Sequence, residues 1–344
     1  MTMQATPARS QSRTVVLWAI MVSVLYGASY QQFRMVSVLP TMEVAGLSDS
    51  MSYLAMSHGN YDVSPVRRYR PVIPWLASLV QKVLGSSIKD SEERDKLSFF
   101  VVNFIFSLAT AILLQRIFGK IGFKWEMQLL GAIFFLTSRI NVMCVGTPLV
   151  DSLYFFAIAV IVYLTLCEQL ALLMILVPLL VLSKETIVPF LFLPFAKPSM
   201  RNWKMVTSIV VALGVFYVLR HYIEIQVPAS AVSRSPSLIA MIYGLLPNIL
   251  TSLRRLFDPN GIHDLLNGFS LLALIAVAGF VLDRRLTTPR IPGFLLLIVP
   301  FCFALALLSD NLGRMLFAAY VPIIAYSLVG IEYFCKPARA GELQ

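Results

Sequence analysis

Charge is what this sequence has least of. Of its 344 residues 13% are Asp, Glu, Lys or Arg, against 58% hydrophobic, and the mean hydropathy is +0.77. Such a shortage excludes an ordinary water-soluble domain, because no single core hides that much apolar surface; lipid has to serve as solvent for much of the chain. Histidine is scarce too. With three in all (His58, His221, His263) a histidine metal cluster has little to build on. The four cysteines (Cys144, Cys167, Cys302, Cys335) lie far apart, with neither CxxC spacing nor a disulfide framework, and read as packing residues. HExxH, GxSxG and the phosphate-binding P-loop are all absent. Nothing in the sequence indicates a cofactor or a divalent metal.

The formal net charge is +10. In a soluble protein that would suggest nucleic acid as a partner; here Lys and Arg gather in short loops between apolar runs, which is the positive-inside pattern of a membrane protein. The pattern predicts an all-α polytopic membrane protein of about ten membrane segments, with both termini cytoplasmic and helices lying in the outer interface. Residues 1–13 carry Arg9 and Arg13 and form a cytoplasmic tail, residues 14–335 form one transmembrane domain, and residues 336–344 are a second tail. After a first apolar run at 15–30, residues 31–96 form the first outer loop. Within it, 50–58 suits a short helix. The apolar stretch 72–84 is too short to cross ~30 Å of hydrocarbon, and 89–96 reads as a solvated connection.

Crossings are expected at 97–115, 127–144, 152–167, 206–222, 265–282, 291–309 and 315–334, with 238–257 lying along the outer surface. Two short proline-containing pieces, 170–183 and 187–195, meet at Lys184-Glu185-Thr186 and read as one broken segment. Irregular backbone at membrane depth is tolerated only where protein buries it or it lines a wet cavity.

Between Asp49 and Trp75 lies a polar island holding Asp62, Arg67, Arg68, Arg70, His58, Tyr53, Tyr61 and Tyr69. Under the predicted topology the remaining charges fall at one depth: Asp49 and Arg70 in the first outer loop, Asp151 at the outer end of a span, Lys184 and Glu185 at the break, Asp310 and Arg314 in an outer turn. Membrane-edge charges are costly, so five segments placing them together point to a shared site. Each residue also has an ordinary reading. Asp49 suits a helix cap, Lys184 and Glu185 can neutralise each other, the tyrosines suit the interface belt, and Arg314 can snorkel to headgroups. Chemically, Asp49 can act as general base toward a hydroxyl, while Arg70, Lys184 and Arg314 can hold a phosphate leaving group.

The order DSMSYLAMSHGNY (49–61), RRYRPVIPWLA (67–77), KET (184–186) and DNLGRMLFAAYVPII (310–324) resembles bacterial integral-membrane glycosyltransferases of the GT-C superfamily. The resemblance implies a GT-C-like fold in the bacterial inner membrane and an inverting hexosyl or pentosyl transfer. The donor it implies is a polyprenyl-phosphate sugar, and the acceptor a saccharide, lipid or protein on the outer face. Asp49 matches the acidic residue of the first outer loop that serves as catalytic base or acceptor-binding group. Substrate binding would fall to Arg70, Asp151, Lys184, Glu185, Asp310 and Arg314. Many members carry two adjacent acidic residues in that loop, whereas Asp49 is flanked by Ser48 and Ser50. A transporter or flippase of lipid-linked saccharides, or a non-catalytic partner subunit, would use the same residues without bond cleavage. The topology predicts that a cysteine introduced at Ser57 or Asn260 reacts in intact cells with a membrane-impermeant thiol reagent, and that one at Thr288 does not. The reverse pattern would overturn the outer-face site.

Overall fold

In the computed structural model, which describes residues 7–38, 48–85, 87–88, 90–227, 249–286, 288–309 and 312–335, every regular element among them is a helix. The first, α1 (Pro7–Val38), runs through the tail and beyond the first apolar run without a break. Its buried residues Leu17, Met21, Leu25, Ser29 and Phe33 recur every fourth position. That spacing stacks them on one face of a 3.6-residue helix. Four helices follow: α2 (Ser48–Ser57), α3 (Pro65–Arg68), α4 (Val72–Leu84) and α5 (Ser91–Ile121).

The helix α5 organises the packing, touching α1, α4 and three later elements: α6 (Trp125–Thr137), α7 (Arg139–Gly146) and α8 (Asp151–Leu166). It begins earlier than the composition suggests. Asp90 accepts from the backbone N–H of Glu92 at 2.9 Å and of Glu93 at 3.4 Å, a cap that draws residues 91–96 of the expected solvated connection into the helix. Such a cap contributes ~1 kcal/mol. Lys96 is buried there and pairs with Glu92 at 2.8 Å, one turn back.

The expected crossing at 127–144 is not one straight helix. Ser138 adopts an extended backbone, its hydroxyl caps Asn141 N–H, and α6 and α7 are bent from each other by 57°. The expected break at Lys184 is present. Chain leaves α9 (Leu170–Leu180), passes an extended Lys184 and continues as a 3-10 segment over Glu185–Ala196, where Pro189 and Pro194 interrupt the α-helical ladder. α10 (Trp203–Ile225) returns along α9.

Towards the C-terminus come α11 (Pro259–Phe269), α12 (Leu271–Arg285), α13 (Ile298–Leu307), α14 (Leu312–Phe317) and α15 (Tyr320–Phe334). Gly313 and Arg314 therefore sit in a helix and not in a turn, and the expected span 315–334 is divided at Ala318 and Ala319. α12 and α15 pack closest of all. A Cβ on Gly279 would stand 1.8 Å from the Tyr326 carbonyl oxygen, so the contact requires the absence of a side chain. The expected surface stretch 238–257 lies outside the described residues up to 248, and 249–256 are helical. Asp310 and the tail 336–344 also lie outside the described residues.

Among the described residues three helices are long and apolar enough to cross a membrane, Val15–Val38, Ser91–Ile121 and Trp203–Ile225, or four if the bent α6–α7 pair is one span. The other apolar helices are shorter. α10 leaves Val210, Val218 and Ile225 more than half exposed, an apolar surface that lipid covers at little cost and water does not. Ser57 is buried and its hydroxyl accepts from Gln81, so thiol labelling of the α2–α3 region belongs at exposed Asn60.

Candidate functional site: an ion-pair network from five chain segments

Arg314 of α14 donates from Nη2 to Asp49 Oδ2 at 2.6 Å and from Nη1 to Asp151 Oδ2 at 3.3 Å. The other Asp151 oxygen accepts from Lys184 Nζ at 2.8 Å. Asp49 Oδ1 is paired with Arg67 Nε. Arg70 lies against Glu185 in a two-pronged contact, Nε to Oε2 at 3.0 Å and Nη2 to Oε1, and its Nη1 donates to the Tyr53 hydroxyl at 3.1 Å. Six of the seven residues expected at the site are thus drawn into ion pairs contributed by five separate segments; the seventh, Asp310, lies outside the described residues.

Local structure explains how each group gets there. Asp151 opens α8, where the helix dipole favours a negative charge. The turn before it is held by Asn103 of α5, whose Nδ2 donates to the Leu149 carbonyl at 3.0 Å and the Thr147 carbonyl at 3.4 Å. One turn further along α8, the Tyr154 ring lies 5.3 Å from Lys184 Nζ, close enough for its π face to attract the ammonium. Arg67 lies in α3 and Arg70 just beyond its end, where the Arg70 backbone N–H donates to the Arg67 carbonyl at 3.1 Å. Beside them Tyr69 donates to Glu224 at 2.6 Å, and Arg220 pairs with Glu224 at 3.0 Å while lying 4.5 Å from the Tyr69 ring centre. These contacts tie the polar island to the end of α10.

Several ordinary readings are thereby replaced. Lys184 and Glu185 do not neutralise each other but turn to Asp151 and Arg70 respectively. Arg314 points inward, with its side chain 11% exposed, and does not snorkel. Tyr53 is buried under Arg70 and is not an interface aromatic. Burial pushes its phenol up to about 12, so it stays protonated. Arg67, Tyr53 and Asn103 were not singled out for the site from sequence. The cluster of arginines at 67, 68 and 70 was an available signal; Asn103, one amide inside an apolar run, offered none.

The electrostatics bear on the chemistry. Burial opposes charge on Asp49, but Arg314 and then Arg67 outweigh it and hold the carboxyl below its ordinary value. In this state Asp49 is ionised and a weak base. The cations expected to hold phosphate are each already matched with a carboxylate. Arg67, Arg70, Lys184 and Arg314 against Asp49, Asp151 and Glu185 leave one net positive charge. Among the described residues no group of three or more His, Cys, Asp or Glu could hold a metal ion. In comparisons with known proteins, no family model, no curated protein and no solved structure matches the chain.

Removing one member of a buried pair strands the other's charge, which costs about 3–5 kcal/mol. Lys184→Met should therefore destabilise the protein by that order, and adding Asp151→Asn should recover most of the loss; thermal unfolding of both variants in detergent measures it, and additive losses would show that the two are not coupled. Because the folded-state value of Asp49 is depressed, its pairs stabilise the protein above the ordinary aspartate range and lose that contribution as pH falls through the folded value. The stability difference between the parent and Asp49→Asn should accordingly be largest at neutral pH and shrink in acid. Parallel pH profiles would mean that the Asp49 pairs add no stability.

Proposed function

We propose that this chain is a multi-pass membrane glycosyltransferase of GT-C type, with about ten membrane segments counting its short and bent helices and both termini in the cytoplasm. It moves a sugar from a polyprenyl-phosphate carrier to an acceptor hydroxyl at the outer face of a bacterial inner membrane. The observation that carries the reading is the gathering of partly and fully buried ion pairs made by Asp49, Arg67, Arg70, Asp151, Lys184, Glu185 and Arg314. So many charges brought from five segments to one place cost desolvation that a purely apolar arrangement would avoid, which favours a functional reason for them.

In the reaction, the acceptor oxygen attacks the anomeric carbon as the carbon–oxygen bond to phosphate breaks. The leaving phosphate takes the electron pair, and the hydroxyl proton passes to the Asp49 carboxylate. The resting pairs supply the switch for this step. An incoming phosphate competes with Asp49 for Arg314 and Arg67, and a carboxylate stripped of two cations becomes a stronger base just where one is needed. The runner-up is a transporter of lipid-linked saccharides or a silent partner subunit, favoured by the break at Lys184 between α9 and the 3-10 segment.

Purified protein given a labelled polyprenyl-phosphate sugar and an acceptor fraction should release free polyprenyl phosphate, which a transporter does not do. Asp49→Asn should lower transfer per folded molecule about 10²–10⁴-fold, since the amide keeps the shape but cannot take the proton. Turnover near that of the parent would remove Asp49 from the mechanism and leave Asp151 as the next carboxylate to test.

A further inference from the structure

Every cation of the network has a carboxylate; its neighbour in the chain does not. Arg68 is 1% exposed, the largest of the fully buried side chains. Its Nη2 donates to the Val63 carbonyl at 2.9 Å, while Nε and Nη1 have no acceptor, and no carboxylate pairs with it among the described residues. A guanidinium has five N–H donors and never loses its charge in a protein. Burying it with one neutral acceptor is among the costlier arrangements a fold can hold. Packing alone does not call for it, since an apolar side chain of similar length would fill the space without the penalty.

The position narrows what would satisfy it. Arg68 follows Arg67, bound to Asp49, and precedes by two residues Arg70, bound to Glu185. Its guanidinium meets Val63 and not the network's carboxylates, and the neighbouring Tyr69 hydroxyl is held by Glu224 of the neutral Arg220–Glu224 pair, so Arg68 brings one unmatched positive charge. A phosphate diester carries one negative charge. A phosphate monoester carries up to two near neutral pH, so a cation without a carboxylate holds the group that a carrier phosphate becomes, as its bond to the sugar breaks, more strongly than the diester before it. Binding that strengthens as charge develops is the kind that accelerates a reaction.

We infer that Arg68 is the cation that receives the phosphate monoester of the carrier, ahead of the already paired Arg70, Lys184 and Arg314. This rests on the glycosyl-transfer reading for the source of the phosphate, but not for the existence of the anion site. Access requires the chain at Val63 to give way, and residues 58–64, which carry it, are turns and extended chain without a helix.

The test uses the full chain in an uncharged detergent, with farnesyl phosphate as probe and with farnesol, inorganic phosphate and dioleoyl phosphatidate as comparisons. Farnesyl phosphate should raise the thermal stability of the parent and the other three should do so far less. Arg68→Met should lower farnesyl phosphate affinity on the order of 10- to 100-fold, and Arg68→Lys should fall between, because a point charge replaces the planar fork. Without ligand, Arg68→Met should unfold at the same or a higher temperature than the parent, since it removes an uncompensated buried charge. A structural role for Arg68 predicts a lower one. Unchanged affinity in Arg68→Met, a lowered unfolding temperature of its ligand-free form, or no response of the parent to any phosphate would each overturn the assignment. An equal response to phosphatidate that vanishes in Arg68→Met would support the anion site and overturn the carrier reading. Farnesyl phosphate binding lost in Arg68→Met, in a protein that releases no polyprenyl phosphate from a sugar donor, would support the site and sink the enzyme.

Discussion

The bridge made by Arg314 is the contact on which the rest of the site hangs. One guanidinium joins Asp49 of α2 to Asp151 at the start of α8, and Asp151 in turn holds Lys184 at the break after α9. None of these charges could be buried alone. An isolated ion taken from water loses several kcal/mol of solvation, and attraction to one partner seldom repays it without further hydrogen bonds. Here each carboxylate takes two donors, so the groups are tolerable only together. Fold and site are then a single structure: the segments must meet for the charges to be matched, and the matched charges specify how the segments meet.

Polar groups inside the helical assembly follow the same logic with smaller stakes. Asn103, Ser107 and Thr110 run along α5, a helix that otherwise reads as an apolar crossing. Asn103 takes the carbonyls of the turn before Asp151, Ser107 donates to Asn141 of α7 at 2.8 Å, and Thr110 bonds back to its own helix at Phe106. An apolar surrounding offers no hydrogen bonds, so these amides and hydroxyls are buried together with Val102, Leu114 and Ile117, while Ile105 faces out. The inward-turned groups are then available to fix a neighbouring turn. Asp151 owes its place to such a contact.

Among the buried side chains Arg68 stands out, because two of its guanidinium nitrogens lack an acceptor and no carboxylate among the described residues faces it. Proteins keep strained or unsatisfied groups where function uses them, at some expense in stability. The network around Asp49 and the orphaned guanidinium beside it have opposite character. One is at rest and must be opened, the other is unsatisfied and must be filled. Arg68 follows Arg67, the cation that restrains Asp49, directly in the chain.

The sequence by itself determined that the chain is helical and suited to lipid, because an excess of Val, Leu, Ile and Phe over charge leaves no other solvent for it. It also marked where charges would collect: in a background this apolar, Asp49, Arg70, Asp151, Lys184, Glu185 and Arg314 are conspicuous, and the prolines at 189 and 194 announced the break after Lys184. Pairing was illegible. Lys184 and Glu185 are neighbours in sequence yet bind different partners, and Arg67 and Arg68 are neighbours of which one is paired and the other not. Local pattern also misplaced the ends of elements, setting 91–96 in a loop and Arg314 in a turn. The bend at Ser138 and the close approach of Gly279 to Tyr326 belong to the same class of fact. Periodicity reports which face of a helix is apolar. Which charge meets which depends on distances between segments up to 265 residues apart in the chain, and those exist only once the helices have packed.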